Sequence, residues 1–179
     1  MFAIIDVETT GAVYKYGKLT EIAVYLHNGQ KITDSFQTLL NPEIDIPYFI
    51  TKLTGIDNNM VDNAPKFYEV ARKIVELTAG RIFVAHNVNF DYKFIQEEYR
   101  RLGYEYKRKT LCTVKLARKL LPGHTSYSLG KICGDLNIKI EGRHRAAGDA
   151  LATVKLFELL LEKNRISHQI GLPGQFRLF

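Results

Sequence analysis

Three short segments carry the residues that could do chemistry. The first is Asp6-Val7-Glu8-Thr9-Thr10-Gly11, at the end of an apolar run. Residues two apart on a strand point to the same side, so Asp6 and Glu8 would project together. Two carboxylates this close repel unless a cation sits between them. Hard oxygen ligands of that kind suit Mg²⁺ or Mn²⁺. The second segment is His86-Asn87-Val88-Asn89-Phe90-Asp91. It follows another apolar run and opens a helical pattern, which puts Asp91 in a first helical turn, where the macrodipole favours negative charge. The third is Gly142-Arg143-His144-Arg145-Ala146-Ala147-Gly148-Asp149. On one helix, His144 and Asp149 would stand about 140° apart. They share a site only if His144 lies in the loop before the helix, which Gly142 permits. An imidazole there can act as a base near neutral pH.

Each segment also has a plain structural reading. Asp6 and Glu8 could end a solvated strand, Asn89 could cap a helix with Asp91 as dipole partner, and His144 could be a surface residue. Together they favour a shared site. All the acids fall at strand ends or helix starts, where an α/β sheet places its ligand crevice. Four carboxylates bring a charge of about −4 into one pocket. The remainder carries 25 basic residues against 15 acids. From Lys93 to Arg145 there are thirteen Lys and Arg and five Asp and Glu. An acidic, metal-holding pocket in a basic surround suits phosphodiester chemistry, because the surround draws in the backbone and the cations neutralise the phosphate.

The elements that must position these groups can be read in outline. The chain has 179 residues, 46% hydrophobic and 25% charged, with a net charge of +6. One globular domain is expected over residues 1–165, with residues 166–179 a C-terminal tail, either docked or a linker. Phe176 and Phe179 would serve a docked tail. No apolar run is long enough for a membrane span and no signal peptide is recognised, so a cytoplasmic location is expected. Cys112 and Cys133 match no zinc spacing and are expected to be small apolar core residues. Strands are expected over Phe2–Val7, Leu19–Leu26 and Ile32–Leu40, the last two joined by the Asn28-Gly29 turn. Ile22, Val24 and Leu26 would form the buried face of the second strand. A long connection with short helical possibilities runs from Asp45 to Pro65. Asn63 could cap a helix that carries Phe67, Val70, Ala71, Ile74 and Leu77 and closes at Gly80. A strand then spans Arg81–Ala85, and helices span Phe90–Leu102, Thr113–Leu121, a short stretch from Ser128 to Leu136, and Ala146–Glu162. This order predicts an α/β domain with a mixed central sheet.

The three segments, taken in order, resemble the exonuclease motifs of the DEDDh family: Asp-x-Glu-x-Thr-Gly at Asp6–Gly11, His-Asn-x-x-Phe-Asp at His86–Asp91, and His-x-x-x-x-Asp at His144 and Asp149. That family includes the proofreading epsilon subunit of bacterial DNA polymerase III, ribonuclease T and oligoribonuclease. The resemblance spans nearly the whole chain. It implies an RNase H-like mixed sheet flanked by helices, and 3′–5′ hydrolysis of DNA or RNA to nucleoside 5′-monophosphates. It implies two divalent ions, Mg²⁺ or Mn²⁺, held by Asp6, Glu8, Asp91 and Asp149, with His144 as the base. Thr9, Thr10, Gly11, Leu53, Thr54, His86, Asn87 and Phe90 would meet the terminal nucleotide. Some members carry a histidine where Thr54 stands. Tyr14 and Tyr16 are stacking candidates for single strands. Single-stranded or 3′-terminal nucleic acid is the implied partner, with a DNA polymerase subunit as a second. Two rival readings stay open here: a phosphatase-like hydrolase with Asp6 as nucleophile, and a catalytically silent nucleic-acid-binding or polymerase-associated module.

Overall fold

The computed structural model describes residues 1–169. The chain opens with β1 (Phe2–Thr9), β2 (Leu19–His27) and β3 (Ile32–Leu39), a fully antiparallel unit. Two short helices, α1 (Tyr48–Thr54) and α2 (Asn58–Val61), fill the long connection. Next come α3 (Phe67–Thr78), β4 (Ile82–Ala85), α4 (Val88–Arg101) and β5 (Thr110–Cys112). The chain continues through α5 (Thr113–Leu120), α6 (Leu129–Asp135) and α7 (Ala146–Gln169). The strands form one sheet in the order β3-β2-β1-β4-β5, with β4 parallel to both β1 and β5.

The alternation of β1 decides which helices meet which face. Ala3, Ile5 and Val7 pack with Phe67, Ile74 and Leu77 of α3 and with Phe94 and Ile95 of α4. Phe2 and Ile4 pack instead with Val154 and Phe157 of α7. Asp6 and Glu8 continue the face of Phe2 and Ile4. The result is a mixed sheet between two helical layers, as expected. β2 departs from its one-sided reading. Ile22 and Val24 face α3 and α4, but Ala23 is also fully buried, against Ala146 and Ala150 of α7. These three small side chains let the start of α7 come close to the sheet.

Several expected boundaries shift for identifiable reasons. Asn63 does not cap α3, because Asn41 holds residues 65 and 66 extended. It pairs with Lys66 in a bridge, and its N–H donates to the Pro65 carbonyl at 3.0 Å. The cap position falls on Lys66, whose N–H donates to Glu69 at 2.7 Å. α4 starts at Val88 with Asn87, not Asn89, at its cap and in the left-handed region (φ 73°). Ser128 holds the cap position of α6 without a side-chain capping bond. The edge strand β5 has three residues, too few for alternation to reveal. α7 runs past Glu162 to Gln169, so the tail expected from residue 166 begins inside a helix. Phe176 and Phe179 lie outside the described residues. Cys133 is buried, Cys112 half-buried, and both are free thiols. Among the described residues, no helix is long and apolar enough to cross a membrane.

Candidate active site

β1 outruns its parallel neighbour. The pairing with β4 ends at Ile4 and Val84, and the left-handed turn at Asn87 carries the chain away into α4. The crevice that opens there receives Asp6 and Glu8 from β1, Asp91 from α4 and Asp149 from α7. One oxygen each from Asp6, Glu8 and Asp149 lies within 4.8 Å of the others. Asp91 falls outside that close group: it is buried, and its charge bears on Asp6. Its Oδ1 accepts from the Val7 N–H at 3.2 Å. This bond locks α4 to the part of β1 that extends past β4.

Asp149 and His144 are positioned by one tight turn. The His144 N–H donates to Asp149 Oδ2 at 2.9 Å, and the Asp149 N–H donates to the Arg145 carbonyl at 3.1 Å. His144 itself adopts φ 60°, a left-handed conformation unusual outside glycine, two residues after Gly142 at φ 68°. His144 therefore lies in the loop before α7, the arrangement its spacing from Asp149 requires. Gly148 completes the turn, since a Cβ there would collide with the backbone carbonyls of Glu141 and Gly142.

The electrostatics are dominated by burial of like charges. Burial pushes the Glu8 carboxyl up to about 7, reinforced by Asp149 and Glu21 and opposed by Arg145. Burial likewise raises Asp91 to about 8, although its own N–H and that of Val7 act downward. Asp6 is raised well above the carboxylate range by burial and then by Asp91, Glu8, Asp149 and Glu21. Asp149 is also raised by burial, with the His144 N–H acting downward. The nearby Arg145 is taken by Glu21. Its Nε and Nη2 donate to the two carboxylate oxygens at 3.1 and 2.8 Å. Three carboxylates this close form a donor set that fits a hard divalent metal.

The residues expected around the terminal nucleotide divide into two groups. Four have committed polar atoms. Thr9 donates to the Gly11 carbonyl at 2.8 Å, and Thr10 accepts from the Lys18 N–H at 3.0 Å. Thr54 faces inward, donating to the Ile50 carbonyl and accepting from the Ile56 N–H. Both ring nitrogens of His86 are engaged, Nε2 with the Tyr127 carbonyl at 2.8 Å and Nδ1 with Thr113 Oγ1 at 2.9 Å. Burial holds this imidazole below its ordinary value. Since the Tyr127 carbonyl can only accept, the neutral ring donates from Nε2. The other four leave room for a ligand. Leu53 and Asn87 are exposed. A Cβ at Gly11 would meet no atom within 4 Å. Phe90 is half-buried against Phe94, with ring centroids 4.9 Å apart. Tyr16 is exposed, while Tyr14 lies under the Lys93 ammonium, 5.4 Å from its ring centre.

Two features escaped the sequence reading. Glu21, buried on β2 opposite Glu8, grips the start of α7 through Arg145 and the Ala146 N–H. Arg101 of α4 donates to the carbonyls of Tyr14, Lys15 and Gly17 at 3.0–3.1 Å, pinning the loop that follows β1. An acid inside a strand buried on both faces was the available signal for Glu21.

Residues 3–157 match the RNase_T exonuclease family. The chain is 38% identical over 173 residues to the DNA polymerase III subunit epsilon of Aquifex aeolicus, covering 95% of this chain and 85% of that protein. It is 42% identical over 167 residues to the 3′-5′ exonuclease DinG of Bacillus subtilis, covering 92% of this chain. It spans 18% of the length of DinG and 12% of that of a PolC-type DNA polymerase III from Caldanaerobacter subterraneus. A solved structure of exonuclease X with 5′ overhanging duplex DNA superposes with a TM-score of 0.74 at 26% identity, covering 97% of this chain and 95% of that one. With its RNase H-like mixed sheet and its clustered acids, the chain belongs to the RNase_T exonuclease family.

Proposed function

We propose that this exonuclease domain, residues 1–165, removes nucleotides one at a time from the 3′ end of DNA, and of RNA, releasing nucleoside 5′-monophosphates. The observation that carries the reading is the convergence of Asp6, Glu8 and Asp149 within 4.8 Å, with His144 on the adjoining turn. Asp6, Glu8 and Asp149 would hold divalent metal, and Asp91 would complete a set for two ions, Mg²⁺ or Mn²⁺. When bound, such ions neutralise the scissile phosphate and ease ionisation of the attacking water.

The remaining chemistry belongs to the chain. His144 takes the proton from the attacking water, an imidazole being suited to general-base work near neutral pH. Gly11 admits the terminal nucleotide close to the backbone, while Asn87, Leu53 and the open side of Phe90 border it. Thr9, Thr10, Thr54 and His86 shape these surfaces through bonds they already make. The basic stretch from Lys93 to Arg145 supplies the field that gathers a polyanion. The epsilon relative supports association with a DNA polymerase, and a cytoplasmic location belongs to the same proposal. Product analysis of a uniformly labelled oligonucleotide tests the chemistry. Nucleoside 5′-monophosphates that disappear with EDTA are expected. Release of 3′-monophosphates, or a covalent aspartyl-phosphate trapped on Asp6, would overturn it.

A further inference from the structure

We propose that Glu21 and Arg145 are positioning residues that hold the His144 turn over the carboxylates. The inference rests on the exonuclease reading and deepens it. Glu21 is 6% exposed and stands opposite Glu8 in the β1–β2 register. It would be a fifth acid in the crevice, yet its oxygens are spent elsewhere. Oε1 accepts from Arg145 Nη2 at 2.8 Å. Oε2 accepts from Arg145 Nε at 3.1 Å and from the Ala146 N–H at 2.8 Å. A carboxylate occupied in this way is withdrawn from metal binding and becomes a strut between the sheet and the first residue of α7.

The strut matters because of what lies on either side of it. Arg145 follows His144 directly, and His144 keeps a left-handed backbone that its side chain disfavours. That conformation persists only where its surroundings over-determine it. On one side the His144 N–H is tied to Asp149, and on the other the Arg145 N–H is tied to the Gly142 carbonyl at 3.2 Å. Both ties are local, one within the turn and one to the first turn of α7. The bonds from Glu21 join the turn to the rigid strand that also faces Glu8. Asp149, one turn into α7, is held by the helix as well, so the strut bears chiefly on the imidazole.

The test compares the wild type, Glu21→Gln, His144→Ala and the double variant. Each is assayed for kcat and KM on a single-stranded oligonucleotide, and for Mn²⁺ affinity by calorimetry without substrate. Glu21→Gln should lower kcat about ten- to a hundredfold, the scale of a misplaced catalytic group. KM and Mn²⁺ affinity should stay within about twofold of wild type, and the loss should vanish in the His144→Ala background. Equal losses in both backgrounds, unchanged kcat, or Mn²⁺ affinity falling in step with kcat would overturn the role. Should Glu21→Gln fail to fold, Arg145→Lys carries the same test, since it keeps the charge and loses the fork. A wild type that degrades nothing with Mn²⁺ would remove the exonuclease reading itself. An active wild type with an indifferent Glu21 would remove only this inference.

Discussion

Raising the pH should destabilise the metal-free protein, and divalent metal should cancel the effect. Burial and mutual repulsion move Glu8 from an ordinary value of 4.5 to about 7, and Asp91 from 3.8 to about 8. Between the unfolded and folded values, the folded protein keeps protons that the unfolded chain has released. Stability from these groups is therefore fully present at low pH and falls as pH rises towards 7 and 8. At about 1.4 kcal/mol per pH unit, Glu8 alone accounts for a loss on the order of 3 kcal/mol. Other groups act in the opposite sense. His86, depressed by burial, adds stability as pH rises through the ordinary imidazole range. The depressed acids Glu43, Glu97, Asp135 and Glu141 add theirs at lower pH, complete by about 5.5. The comparison that isolates the site is thus wild type against Glu8→Gln. Urea unfolding in EDTA at pH 5.5 and at pH 8 should show wild type losing about 2 kcal/mol more than the variant. Mg²⁺ at a hundred times its dissociation constant should return about 2.7 kcal/mol at pH 8. A wild type whose metal-free stability tracks that of Glu8→Gln across this range would refute the reasoning.

The remaining predictions concern the two loops that frame the crevice. His144→Ala should lower turnover about 10²–10⁴-fold while Mn²⁺ still binds, measured by single-turnover hydrolysis and calorimetry. Gly148→Ala should push away the carbonyls of Glu141 and Gly142, costing about 1–3 kcal/mol in urea unfolding and lowering kcat through the His144 turn. Arg101→Met should release the carbonyls of Tyr14, Lys15 and Gly17, costing on the order of 2 kcal/mol and raising KM more than it lowers kcat.

Asp6, Glu8 and Asp149, which the fold brings together, and Asp91 of the proposed site could be picked out because each obeys a local rule. Asp6 and Glu8 share a face by strand alternation, Asp91 opens a helix after a buried strand, and Gly142 frees His144 to precede the helix of Asp149. What stayed hidden depends on partners far along the chain. Glu21 meets Arg145 across 124 residues, and Arg101 meets Tyr14 across 87. The inward turn of Thr54 depends on the αL cap at Gly55, which returns its hydroxyl to α1 and to the Ile56 N–H. The double engagement of His86 required the Tyr127 loop to fold back beside β4, which no periodicity announces. Boundaries failed where tertiary pairing overrode propensity, as at Asn63, where the bridge from Asn41 delays the helix to residue 67.

The most direct test of the central claim is degradation of a 5′-labelled single-stranded oligonucleotide by wild type and Asp149→Ala, with Mg²⁺, Mn²⁺ or EDTA. The account predicts a ladder shortening from the 3′ end, with either metal, that is absent with EDTA and in the variant. An unshortened substrate in every lane with folded wild type, or equal degradation by Asp149→Ala, would contradict it.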